Sequence, residues 1–166
     1  MSLRLLSLVC LISVSQLSLS QQAPAAKPRE PETCPVTKAS DSPFVAPTPY
    51  PPHAPTGSFW FGTDRLWTIL RTDGTRSRKD KTFWWRQDWL GYKSDIPENE
   101  ALKLTVTARR LDAPAPPPRI SKGLGSYTED WKSFLVGGID FSTFGCWEIS
   151  ARYEDDELTF VVWVAK

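Results

Sequence analysis

The chain holds one histidine, one methionine and three cysteines in 166 residues, and each scarcity removes a class of chemistry. Structural zinc takes four N or S ligands. Past the first twenty residues only Cys34, Cys146 and His53 are on offer, so no metal and no other cofactor is expected. No Ser or Cys stands in a nucleophile-elbow context, and His53, set in PPHAP, is poorly placed as a general base. No catalytic residue is expected, and the chain reads as non-enzymatic. Gly123-Leu124-Gly125 lacks the lysine and the strand-turn-helix setting of a phosphate cradle. Asp155, Asp156 and Glu157 are too few oxygens for a calcium loop; between two alternating runs they read as a tight turn kept soluble by charge.

Long apolar runs are equally scarce. Residues 5–14 form the longest, preceded by Arg4 and followed by the small residues Ser18-Leu19-Ser20. That is the pattern of a cleavable signal peptide over residues 1–20, and it is too short to span a bilayer, which takes about 20 apolar residues. No later segment is long enough to cross, so a protein exported to the periplasm or beyond is expected. Removing Arg4 from the 20 basic residues leaves as many cations as there are acids, 19. A neutral mature chain has no general attraction to nucleic acid, and any charged partner must be recognised locally. Cys34 and Cys146 survive processing into an oxidising compartment and are expected to pair.

Proline is abundant, and its placement organises the chain. Ten of the 15 prolines fall between Pro24 and Pro55, where each removes a backbone donor and restrains its neighbour. Residues 21–33 carry no large apolar side chain and read as a disordered tether. Residues 34–56 carry Val36, Phe44, Val45 and Tyr50, and read as an extended proline-rich strap held by Cys34. From residue 57 onward, short apolar runs separated by turn residues recur about every ten residues, the spacing of an antiparallel sandwich. Strands are expected over 58–63, 66–72, 81–87, 101–111 and 133–141, with a kink at Gly137-Gly138. A terminal hairpin follows, and only 95–101 offers a helical turn. In the last strand Leu158, Phe160, Val162 and Val164 share one face, while Thr159, Val161 and Trp163 share the other. The partner strand puts Trp147, Ile149, Ala151 and Tyr153 on its apolar side, leaving Cys146 outward. A bond to Cys34 would draw the strap across that outer face and over Trp163.

The closing words GCWEISARY and LTFVVWV look like the last two strands of an immunoglobulin-like sandwich. Phe144 stands where such domains place the tyrosine of the tyrosine corner, and Cys34 lies outside any inner strand. Together with CPVT, SPFVAPTPYPP, FWFGTDRLWTIL, KTFWWR and LTVTARRLDAPAP, these words resemble a group of small secreted bacterial proteins without an assigned activity. The resemblance spans the mature chain and implies a secreted bacterial protein. An all-β, immunoglobulin-like antiparallel β-sandwich over residues 57–166, with a proline-rich N-terminal strap, is therefore expected.

Eight tryptophans are the compositional anomaly. Most belong in a core, but adjacent Trp84 and Trp85 must face opposite ways, and with Trp89 and Tyr92 nearby they are the candidate ligand surface, a platform on which sugar rings stack. Arg76, Arg78, Lys79 and Lys81, flanked by Arg71 and Arg86, form a basic cluster suited to phosphate, lipopolysaccharide or acidic polysaccharide. Interleaved Asp73 and Asp80 dilute it toward a solvated hairpin tip. The expectation is a non-enzymatic interaction module of the bacterial cell envelope, its partner a carbohydrate or another envelope protein. The alternatives are a purely structural envelope domain and, at low weight, a secreted hydrolase or protease inhibitor.

Overall fold

The computed structural model describes residues 33–92 and 96–165; residues 1–20, expected as a signal peptide, and all of the expected tether but Thr33 lie outside the described residues. The strands are β1 (Ser58–Gly62), β2 (Trp67–Arg71), β3 (Thr75–Ser77), β4 (Lys79–Trp85), β5 (Leu104–Arg110), β6 (Arg119–Ile120), β7 (Leu124–Thr128), β8 (Lys132–Asp140), β9 (Gly145–Tyr153) and β10 (Asp156–Ala165). A 3-10 turn at Gln87–Gly91 and a single helical turn, α1 (Glu98–Ala101), stand between β4 and β5. One sheet runs in the order β1-β2-β4-β8-β6, with β7 pairing further along β8, and the other runs β3-β10-β9-β5. The expected all-β sandwich is the observed architecture.

Strand parity sets what lies between the sheets. Leu158, Phe160, Val162 and Val164 of β10 and Trp147, Ile149, Ala151 and Tyr153 of β9 are all buried there, facing Phe59, Leu70, Trp84, Leu135 and Ile139 of the first sheet. The register Leu158↔Ala151, Phe160↔Ile149 and Val162↔Trp147 brings the two apolar sets side by side. Gly137 and Gly138 both stay in register with Thr82 and Lys81, so the ladder of β8 runs through them unbroken. They make room on the other side, where β6 gives way to β7 across residues 121–123 and Ser121 Oγ accepts the Gly138 amide at 2.7 Å. Polar β3 has no apolar periodicity to announce it. It is held by parallel pairing to the end of β10.

The proline-rich segment touches the outer faces of both sheets, whereas the outer face of the β9–β10 sheet alone was expected to be covered. Cys34 is bonded to Cys146, and Cys34 and Val36 pack with Val161 and Trp163 on the outside of β10. The Thr37 amide donates to Val161 O at 2.9 Å, and the Val161 amide returns to Thr37 Oγ1 at 2.9 Å. Val36 presses on Gly74, where a Cβ would lie 2.9 Å from Val36 Cγ2 and where φ is +68°; only glycine meets both demands. Further along, Tyr50 meets the Trp67 ring edge-on at 5.0 Å, and Phe44 approaches it at 5.9 Å. Tyr50 Oη donates to Arg86 O at 3.0 Å, and the Trp60 indole donates to Pro51 O at 3.0 Å. Beyond the Thr37–Val161 pair the segment covers sheet faces through side chains rather than joining a ladder, which is why proline is tolerated in it.

Candidate functional site

Trp84, Trp85 and Trp89, expected with Tyr92 as a ligand surface, are buried. Trp84 and Trp85 do face opposite ways, and both sides of β4 are covered. Trp84 enters the inter-sheet core beside Phe160 at 6.0 Å. Trp85 packs against Trp60 at 5.1 Å and Trp131 at 5.6 Å beneath the proline-rich segment; its indole donates to Trp131 O at 3.1 Å. Trp89, in the 3-10 turn, meets the Tyr153 ring at 5.5 Å, and half-buried Tyr92 accepts the Ser133 hydroxyl through its carbonyl. A stacking platform needs an open ring face, and these three tryptophans have none. Exposed His53 has no hydrogen bond or ion pair to a serine or an acid among the described residues. Nor do three or more His, Cys, Asp or Glu gather there to hold a metal.

Two clusters of charge remain, and they differ in whether their charge is spent. In the first, Arg86 is buried at the end of β4 and donates to Asp88 at 3.0 and 2.9 Å and to Asp156 at 2.6 Å. Its guanidinium carbon lies 4.2 Å from the centre of the Tyr153 ring. Asp156 also receives Arg65 at 2.7 Å. Burial pushes the Asp156 carboxyl up, and the bonds from Arg65 and Arg86 outweigh that and hold it below its ordinary value. Beside it, burial followed by the bond to Glu100 raises the Tyr153 phenol to about 12. Asp156 is thus a tie to the other sheet, not merely a solubilising turn residue. Asp64, Arg65, Arg86, Gln87 and Asp88 line a polar hollow here, and its charges answer one another.

The second cluster is the basic run at β3–β4. Arg76 is buried and points inward, donating to Asp80 at 3.1 Å, Lys81 O at 3.0 Å and Ile69 O at 3.1 Å. Asp73 is taken by Arg71 at 2.8 Å. Burial raises its carboxyl, but Arg71 and Thr75 bring it down to about 2. The two acids that dilute this cluster in sequence are therefore spent on partners. On the outer face of the first sheet, Lys79 and Lys81 of β4 face Arg119 and Ser121 across Gly138, lining a shallow groove of about 490 Å³. Register makes this face a set of rows: Lys79, Asp140 and Arg119; then Lys81 and Gly138; then Phe83, Val136 and Leu124. Lys79 Nζ is 3.9 Å from Asp140, and Lys81 and Arg119 form no ion pair among the described residues. The sequence signal for this groove was half visible in Lys79 and Lys81. Arg119 and the glycine floor enter only through strand pairing.

The fold and the groove define a disulfide-tied β-sandwich with a basic, glycine-floored face. No family model, curated protein or solved structure matches the chain. Among the described residues no helix is long and apolar enough to cross a membrane.

Proposed function

We propose that the chain is an exported interaction module of the bacterial cell envelope that works by binding, and that its contact surface is the groove over Gly138. The observation that carries this is the pair Lys81 and Arg119, two cations without carboxylate partners facing one another across a floor that has no side chain. An unspent charge pair in a concavity attracts an anionic group, so the partner presents negative charge, as an acidic polysaccharide or an acidic envelope protein does. The tie between Cys34 and Cys146 supports work in an oxidising compartment. A second reading, a purely structural envelope domain, is favoured by the burial of six of the tryptophans, Trp60, Trp67, Trp84, Trp85, Trp89 and Trp147.

Half-buried Trp131, 5.6 Å from Phe83 at the groove's apolar margin, supplies a reporter. Titration of the protein with polygalacturonate and with polyglutamate is expected to change tryptophan emission and to protect it from iodide. Lys81→Glu is expected to remove that response without lowering Tm. Indifference to both polyanions in the wild type would remove the groove from consideration and leave the structural reading.

A further inference from the structure

Exposed strand edges are generally blunted in native proteins, and among the described residues all the sheet edges but one are. Beside β1, Lys38 and Phe44 of the proline-rich segment line a hollow with Phe59, Trp60, Phe61 and Gly62, and Trp60 stays buried. β3 is only three residues long. The far edge of the first sheet is divided between β6 and β7, and α1 packs on β7, with the Ile96 backbone against Gly125. β5 is the exception. It runs seven residues without proline or glycine and pairs on one side only, with β9. The Leu111 amide donates to Cys146 O at 2.8 Å, so by the alternation of an antiparallel ladder Thr105, Thr107 and Arg109 turn their amides and carbonyls toward β9. Those of Leu104, Val106, Ala108 and Arg110 turn outward, where they meet no backbone partner among the described residues.

We infer that this edge pairs with the same edge of a second copy of the chain, antiparallel and centred on Thr107, joining two four-stranded sheets into one of eight strands. That register uses the whole of β5: Leu104 meets Arg110 of the second copy, Val106 meets Ala108, and Thr107 meets Thr107. Four hydrogen-bonded pairs, each exchanging two bonds, give about eight in all, close to the roughly ten of a typical interface. The register also sets no charge opposite a like charge, which is unfavourable across a strand pair. Arg109 falls opposite Thr105 and Arg110 opposite Leu104, and both arginines are already tied, to Glu148 and to Asp112. Centring on Val106 instead sets Arg109 against Lys103. What selects a second copy over a single extended peptide is the apolar row behind the edge. Leu104, Val106 and Ala108 face the core and stay half-buried at its margin, and Leu102, where the edge begins, is 51% exposed. Ile120 of β6, set beside core Ile139 by register, is 36% exposed. It lies on the same side of the sandwich, because α1 leads into β5 and packs on β7. Together these residues mark an apolar seam between the sheets. A peptide strand caps the β5 backbone and leaves Ile120 in water, whereas a two-fold pairing sets seam against seam. The axis of such a pairing crosses the joined sheet, so the basic groove on the other sheet points the same way in both copies and takes no part in the contact.

The test uses protein expressed as the full chain through an export pathway, its mass measured by light scattering across a dilution series. The wild type is expected to show the mass of two processed chains, falling toward one on dilution. Thr107 is exposed and lies opposite itself across the axis. Thr107→Glu and Thr107→Lys therefore each bring like charges face to face and are expected to raise the dissociation constant more than about tenfold. Mixing the two variants brings opposite charges together there and is expected to restore the dimer, which variants that merely failed to fold would not do. Thr159→Glu makes the same change at an exposed position on the same face, two strands in from the edge, and is expected to leave the dimer as it was. A wild type of single-chain mass at every concentration, an undiminished dimer in Thr107→Glu, no recovery on mixing, or an equal loss from Thr159→Glu would each overturn the inference.

Discussion

Arg86 is one of two buried arginines, with Arg76, that make polar ties between the sheets. It follows β4 directly, yet its strongest partner is Asp156, the first residue of β10, 70 positions away. Removing one member of a buried pair leaves the other charge uncompensated, which costs about 3–5 kcal/mol where burial is complete. Asp156 keeps Arg65 and some solvent contact, so Arg86→Ala is expected to lose about 3 kcal/mol in urea unfolding, the lower end of that range. Because the folded Asp156 carboxyl titrates below its unfolded value, its contribution is complete above about pH 4 and fades as pH falls through the folded pKa. Asp156→Asn is therefore expected to be less stable than the wild type at neutral pH and to show a shallower loss of stability as the pH falls below about 4. Equal slopes for the two proteins would mean that Asp156 is not the titrating tie. Nothing local in the sequence announces this pairing: Asp155-Asp156-Glu157 reads as a charged turn, and the arginine that makes it more lies in a distant tryptophan-rich word.

At the scale of elements, legibility follows periodicity. β9 and β10 alternate cleanly, so the alternation alone places Trp147, Ile149, Phe160 and Val162 inside and puts Cys146 on the outside with Trp163. β3 and β6 are two or three residues long, polar or mixed, and exist because a longer strand offers them an edge. No window of sequence carries that information. The tryptophan pair shows the same limit from the other side: parity gives the opposite orientations of Trp84 and Trp85, but what covers each face comes from residues far off in the chain. β7 also illustrates close approach between elements. A Cβ on Gly125 would lie 2.4 Å from the Ile96 carbonyl oxygen and 2.5 Å from its amide nitrogen, rigid backbone on both counts. Gly125→Ala is therefore expected to cost about 1–3 kcal/mol as an overpacking change. Gly91→Ala, with open space around its Cβ, is expected to change urea stability by less than about 0.5 kcal/mol. Similar midpoints for the two variants would show that the segment at Ile96 gives way freely.

For the molecule as a whole, the covalent tie joins the start of the described chain to β9. A loop with a sequence separation of 112 corresponds, by chain entropy, to at most about 4–5 kcal/mol. The Cys34→Ser/Cys146→Ser protein is expected to lose a large part of that, and to gain iodide-quenchable emission as Trp163, half-buried with Cys34 and Val36, loses its cover. Alkylation of the processed protein before reduction is expected to modify no thiol, as measured by intact mass. Two modified cysteines would show that the bond is absent in the cell. Tyr50 and Phe44 hold the far part of the same segment on the other sheet independently of the sulfurs, so the double variant is expected to remain folded.

Distance along the chain is also distance in time. At about 5–20 residues per second, the 112 positions between Cys34 and Cys146 take on the order of ten seconds to make. Tyr50, Trp60 and Trp67 are close in sequence and able to meet early, while the thiol of Cys34 must wait for β9 before it has its partner. During that wait it is a reactive group on a partly made protein, open to any oxidant or stray thiol it meets. The bond that fixes the start of the described chain can thus close only once nearly the whole chain has been made.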